Sequence, residues 1–83
     1  MKLVLIDWVD SHAGRGWQDM ARIERAAEPL RCRSVGWLVS TAGDCKVIVP
    51  HLAGEGNGEV VLQGAGDLTI PNRCIVKMRV LSR

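Results

Sequence analysis

The sequence contains no phenylalanine and no tyrosine, and its aromatic side chains are the three tryptophans Trp8, Trp17 and Trp37. A core without benzyl side chains has to be built from valine, leucine and isoleucine, which lean towards extended chain. Long apolar runs are missing as well. The stretch "KLVLI" runs straight into Asp7, far short of an export signal or a membrane-spanning segment, so no membrane association is expected. Cysteine occurs in an odd number, at positions 32, 45 and 74, without a close pair. That excludes a complete disulfide set and fits a reducing cytoplasm. Charge of one sign hardly dominates: the formal net charge is +2, too little to mark a nucleic-acid binder by totals alone.

What remains is an ordinary folding chain of 83 residues, 47% hydrophobic and 24% charged, expected to form one domain over residues 1–83. A core of this size leaves little stability in reserve, so association into a homo-oligomer is expected. Eight of the eleven cationic residues are arginine. Arginine suits planar, bidentate or stacked recognition better than lysine, which favours a binding surface.

The stretch "MKLVLIDWV" reads as a first strand, with Leu3, Leu5 and Asp7 on one face and Val4, Ile6 and Trp8 on the other. "DSHAGRG" interrupts it. From Trp17 to Glu28 the spacing is helical, with Trp17, Met20, Ala21 and Ile23 on an apolar side continued by Ala27. Pro29 ends that helix. "LRCRSVGWLVS" (30–40) and "CKVIVPHL" (45–52) are expected to be antiparallel strands around the turn "TAGD". "AGEGNG" (53–58) reads as a flexible loop, with "EVVLQ" (59–63) and "DLTI" (67–70) as short strands around "GAG". "RCIVKMRVL" (73–81) alternates, placing Cys74, Val76, Met78 and Val80 on one face and Arg73, Ile75, Lys77 and Arg79 on the other.

This pattern predicts a mainly β (α+β) protein: a small SH3-like or Sm-like antiparallel barrel roofed by one N-terminal helix, with an open α+β roll as the alternative.

Asp10, Ser11 and His12 are the residue types of a hydrolase triad. Consecutive positions cannot form that relay, because its groups must converge from separated backbone sites. Turn chemistry accounts for them: Asp10 or Ser11 accepts backbone N–H bonds at the turn or helix start, Gly14 and Gly16 relax the backbone, and Trp17 anchors the helix. His12, His51 and the cysteines lack the paired spacing of a zinc site, and no cofactor is implied. "AGEGNGE" lacks the Lys-Ser/Thr that completes a phosphate-cradling loop. No enzyme is expected.

Arg31 and Arg33 share one strand face, and Arg73, Lys77 and Arg79 another. If those strands lie close together, the result is a basic surface for nucleic acid, a nucleotide or an acidic protein partner. Otherwise these are the solvated faces of half-buried strands. Trp37 lies in "SVGWLVS", apolar on both faces. Such a strand lies either beneath the helix or against another subunit, and Gly36 permits close approach of a neighbour. Trp37 could also stack on a base.

The stretches "WVDS", "GW", "EPLRCRSVGWLV", "VPH" and "GDLTIPNRCIV" resemble short proteins encoded in phage and prophage genomes. The resemblance implies a small phage-type binding module working in the host cytoplasm, without implying any activity. "LTIPNRCIV" is similar to the last strands of Sm-like barrels, where a strand, a proline turn and a final strand close the sheet. The sequence elements by which Sm-like proteins hold RNA bases are absent, so RNA binding does not carry over. A third reading is an oligomer that sequesters an anionic nucleotide between arginine and tryptophan side chains.

Overall fold

The first strand opens on four consecutive apolar residues, Leu3–Ile6, and the alternation of side chains along a strand sends every second one to the core. In the computed structural model, which describes residues 1–54 and 62–82, this strand is β1 (Leu3–Asp10), and Val4 and Ile6 are completely buried while Leu3, Leu5, Asp7 and Val9 are half-exposed. The elements that follow are α1 (Met20–Arg25), β2 (Leu30–Ser40), β3 (Cys45–Val49), β4 (His51–Ala53), β5 (Gln63–Ala65), β6 (Leu68–Pro71), a 3-10 turn (Asn72–Cys74) and β7 (Ile75–Ser82). The protein is mainly β. Five strands form one antiparallel sheet in the order β6-β3-β2-β1-β7, and β4 and β5 form a separate hairpin.

The order of that sheet has a mechanical consequence. β6 and β7 are its two edges, yet only Asn72–Cys74 separate them in the chain. In a flat sheet the edges would be about 19 Å apart at ordinary strand spacing. The link reaches about 14 Å when fully extended, and less when wound as a 3-10 turn. The sheet is therefore curled, and its inward faces meet. Ile70 on β6 belongs to the same buried cluster as Val4 and Ile6 on β1 and Ile48 on β3. Trp8, Leu38, Leu68, Cys74, Ile75 and Met78 pack around that cluster. The Trp8 indole N–H donates to Ser34 Oγ at 3.0 Å, so the polar end of a partly buried ring has its partner. The turn itself is tied down: Asn72 N–H donates to the Asp44 carbonyl at 2.8 Å, and Lys46 Nζ donates to Asn72 Oδ1 at 3.0 Å.

Several expectations change. The helix runs over Met20–Arg25 and not Trp17–Glu28, and its cap is Asp19, whose carboxylate accepts from Ala21 N–H, rather than Asp10 or Ser11. It does not roof the sheet: all six helical residues are exposed, and Trp17, which was to anchor it, is fully in solvent. The physical reason is that the curled sheet covers its own inner face, leaving no apolar surface there for a helix. Helix cover of β2 is thereby excluded, since Val35 and Val39 are also exposed.

The expected strand 45–52 breaks at Pro50, which has no N–H to give to a ladder, and its continuation β4 leaves for the second sheet. The expected turn "GAG" is instead strand at Gly64 and Ala65, with the bend at Gly66, whose φ of 76° suits glycine. Most of "AGEGNG" and the start of "EVVLQ" lie outside the described residues.

Along β7 the register against β1 shifts twice, opposite Leu3/Val4 and opposite Asp7/Trp8, and the second shift breaks the expected alternation. Asp7 pairs with Lys77 but Trp8 pairs with Ile75, so Val76 is an extra, bulged residue. The bulge swings Ile75 onto the core and leaves Val76 69% exposed, the reverse of the expected faces, while Met78 opposite Ile6 stays inward.

Gly36 of β2 sits close against β3. A Cβ there would lie 3.0 Å from the Val49 carbonyl oxygen and 3.1 Å from Ile48 Cβ. Gly36→Ala is therefore expected to lower stability by about 1–3 kcal/mol through overpacking against backbone. Urea unfolding checks this, and an unchanged midpoint would contradict it.

Candidate functional site

Because side chains alternate across a strand, burial of Val4 and Ile6 turns Leu3, Leu5, Asp7 and Val9 outward on β1. Register then decides what flanks them. On β2, Arg33 lies opposite Asp7 and Arg31 opposite Val9; on β7, Lys77 lies opposite Asp7 and Arg79 opposite Leu5. β2 and β7 are not adjacent, as β1 separates them. Even so, their cations occupy one outward face. Four of the six binding candidates, Arg31, Arg33, Lys77 and Arg79, converge around a single carboxylate.

Asp7 organises this face. The Arg33 guanidinium grips it with both arms of its fork, Nε donating to Oδ1 at 2.6 Å and Nη2 to Oδ2 at 3.3 Å, the bidentate geometry that suits arginine. This hydrogen bonding is the main reason the Asp7 carboxyl is held below its ordinary pKa of 3.8. Partial burial opposes the effect, and the positive fields of Arg33, Arg79 and Lys77 reinforce it. The same bond raises the Arg33 pKa further. Sequence reasoning put Asp7 on the right face but did not identify it as a site residue. The available signal was an acid at an outward position of an otherwise apolar strand.

Beside this ion pair lies an open groove of about 430 Å³, lined by Asp7, Trp8, Val9, Arg31, Arg33 and the bulged Val76, with Cys32 completing it. Arg31 brings positive charge to the groove, and Trp8 and Val9 bring apolar surface. The two other candidates stand apart. Trp37 is on the same outward face but opposite Leu3, six residues along β2 from Arg31, where it is half-buried. Arg73 is exposed in the 3-10 turn, off this face.

The residues of the "DSHAGRG" segment are engaged locally. Asp10 Oδ1 accepts from Ser11 N–H at 2.8 Å. Gly16 adopts a φ of 68°, and Gly14 faces the Gln18 side chain. His12 Nε2 lies 2.5 Å from the Glu28 carbonyl. A carbonyl only accepts, so the ring nitrogen donates, clasping the two legs of the excursion that leaves β1 and returns to β2. His51 is on the exposed β4 hairpin, in a different part of the chain from this clasp. Among the described residues no three His, Cys, Asp or Glu side chains gather as a metal site would require, and no helix is long and apolar enough to cross a membrane.

No family model matches the chain, and neither a curated protein nor a solved structure matches it.

The Asp7–Arg33 pair predicts a pH response whose sign is fixed. A carboxyl depressed on folding contributes stability above its unfolded pKa and loses that contribution as pH falls through its folded value. Asp7→Asn should therefore melt below wild type near neutral pH, and the gap should narrow below the ordinary aspartate pKa of 3.8. Thermal melts across that range check this, and a gap that widens with acid would contradict it.

Proposed function

We propose that this protein is a non-enzymatic, phage-type binding module, built as a small SH3-like or Sm-like barrel, that works as a homo-oligomer and holds nucleic acid on the outward face of β2–β1–β7. The observation that carries the reading is the convergence of Arg31, Arg33, Lys77 and Arg79 on one face from two strands that are not neighbours. Four cations against one carboxylate leave a positive excess, and such a surface attracts phosphate backbones irrespective of sequence.

Asp7 is spent on Arg33 and fixes its orientation, while Arg31, Lys77 and Arg79 have no recorded side-chain bond in the described part of the chain and face solvent. The barrel reading is supported by the three-residue link between the sheet edges and by the likeness of the C-terminal strands to Sm-like proteins. The oligomer is supported by exposed apolar side chains, among them Trp17, Met20, Val35 and Val39. The absence of catalysis is supported by the local bonds that engage Asp10 and His12.

One observation favours a second reading, the sequestration of an anionic nucleotide. The groove of about 430 Å³ falls in the size range of small-molecule sites, and it sets arginines beside an indole.

Fluorescence anisotropy with labelled single-stranded RNA and DNA separates the two. Nucleic-acid binding through Arg31, Lys77 and Arg79 should weaken with salt, with a log–log slope near −2 for about three phosphate contacts at roughly −0.7 each. Lys77→Ala or Arg79→Ala should each flatten that slope by about 0.7, and Asp7→Asn should tighten binding. No binding to either strand, together with a melting-temperature rise on one mononucleotide, would replace the first reading with the second.

A further inference from the structure

The outward face of the sheet has two halves. The basic half surrounds Asp7. The other half, towards Leu3 and the end of β2, is apolar: Val35 is 47% exposed opposite Leu5, Val39 is 52% exposed in a bulge, and Trp37 lies between them opposite Leu3. Nothing in the described chain covers it. A second apolar surface lies elsewhere. The excursion between β1 and β2 carries Trp17, Met20 and Ile23, which are 105%, 74% and 47% exposed. Met20 and Ile23 are three residues apart in α1 and so share a face.

These surfaces cannot meet easily within one chain. The excursion springs from the Asp10–Leu30 pair, whereas Trp37 pairs with Leu3 at the other end of the same ladder, about 23 Å away at strand rise. The His12–Glu28 clasp keeps the legs of the excursion together. The molecule is elongated accordingly, 59 Å long against 25 and 22 Å across, with a radius of gyration of 17.1 Å, where a compact chain of this length would have about 12 Å.

We infer that the excursion is an exchange arm: Trp17, Met20 and Ile23 of each chain dock on the Val35–Trp37–Val39 end of the sheet of a second copy, reciprocally, in a two-fold dimer. The area supports this occupant. The chain exposes 6713 Å², whereas a compact monomer of 9.1 kDa exposes about 4,900 Å². The excess, about 1,800 Å², is shared among the exposed excursion, the apolar end of the sheet and the exposed β4–β5 hairpin, and roughly 800 Å² of it would be each partner's share of a standard stable interface. A two-fold arrangement uses both contacts of every chain and closes the assembly, whereas a head-to-tail arrangement would leave one arm and one receptor free at the ends of a filament. The basic half of the sheet stays open, so the dimer presents two anion-binding faces. The inference rests on the oligomeric part of the proposed function and adds its interface.

The test is complementation between two variants of the full chain, read by light scattering. Met20→Glu/Ile23→Glu removes the arm's apolar face, and Val35→Glu/Val39→Glu removes the receptor. All four side chains are exposed, so each variant should keep its fold, with circular dichroism as the control. Wild type is expected at twice the 9.1 kDa chain mass, each variant alone at the single-chain mass, and their equimolar mixture back at the doubled mass, because one intact arm still meets one intact receptor. A monomeric wild type would overturn both the exchange and the oligomeric reading. A dimeric wild type whose arm variant keeps its mass, or a mixture that stays monomeric, would overturn the exchange alone. An assembly larger than two chains would overturn its two-fold closure.

Discussion

Three residues impose the shape of this protein. Asn72–Cys74 join the two edges of a five-stranded sheet, and so short a link cannot span a flat sheet of that width. Once the sheet curls, β1 faces across its inner surface towards β6. Val4 and Ile6 from β1 then share a buried cluster with Ile48 and Ile70. Apolar burial of this kind is the main favourable term in a chain this small. The hydrogen bonds from Asn72 to Asp44 and from Lys46 to Asn72 hold the first residue of the link against the start of β3.

The functional face follows from the same alternation. Every residue that β1 buries sends its neighbour outward, and Asp7 is thereby placed between Arg33 on one side and Lys77 on the other. A carboxylate at that point does two things. It locks Arg33 in a bidentate grip, and it relieves part of the repulsion among the cations of the two strands that flank β1. Among the described residues, the apolar outward side chains at the other end of the ladder have no such partner, and neither has the segment that carries Trp17, Met20 and Ile23. The clustered cations and the exposed apolar side chains thus occupy different parts of one surface.

Much of this was legible in the residues, for identifiable reasons. The two faces of β1, the eleven-residue strand β2 and the turn at Gly43 leading into β3 are set by short-range pattern, and the pattern was sufficient. The adjacency of the arginine-bearing faces was not legible, because it depends on which strands flank β1. Within β7 only Ile75 and Val76 were assigned to the wrong faces, because the bulge at Val76 breaks the alternation there and no local signal marks it. The helix was recognised but its partner was not. Helical spacing of Met20 and Ile23 says that an apolar face exists, without saying what will cover it. Asp10, Ser11 and His12 proved to be parts of a turn and a clasp. The length of the excursion, from residue 12 to residue 28, hid the partner of His12 from a local reading.

The account depends on the curl of the sheet, and methyl nuclear Overhauser contacts test it most directly. In a flat sheet β6 and β1 would be three strand spacings apart, about 14 Å, and Ile70 would show no cross-peak to β1. The curled sheet requires cross-peaks from the Ile70 methyl groups to those of Val4 or Ile6. Their absence, with Ile70 showing contacts to β3 alone, would contradict it.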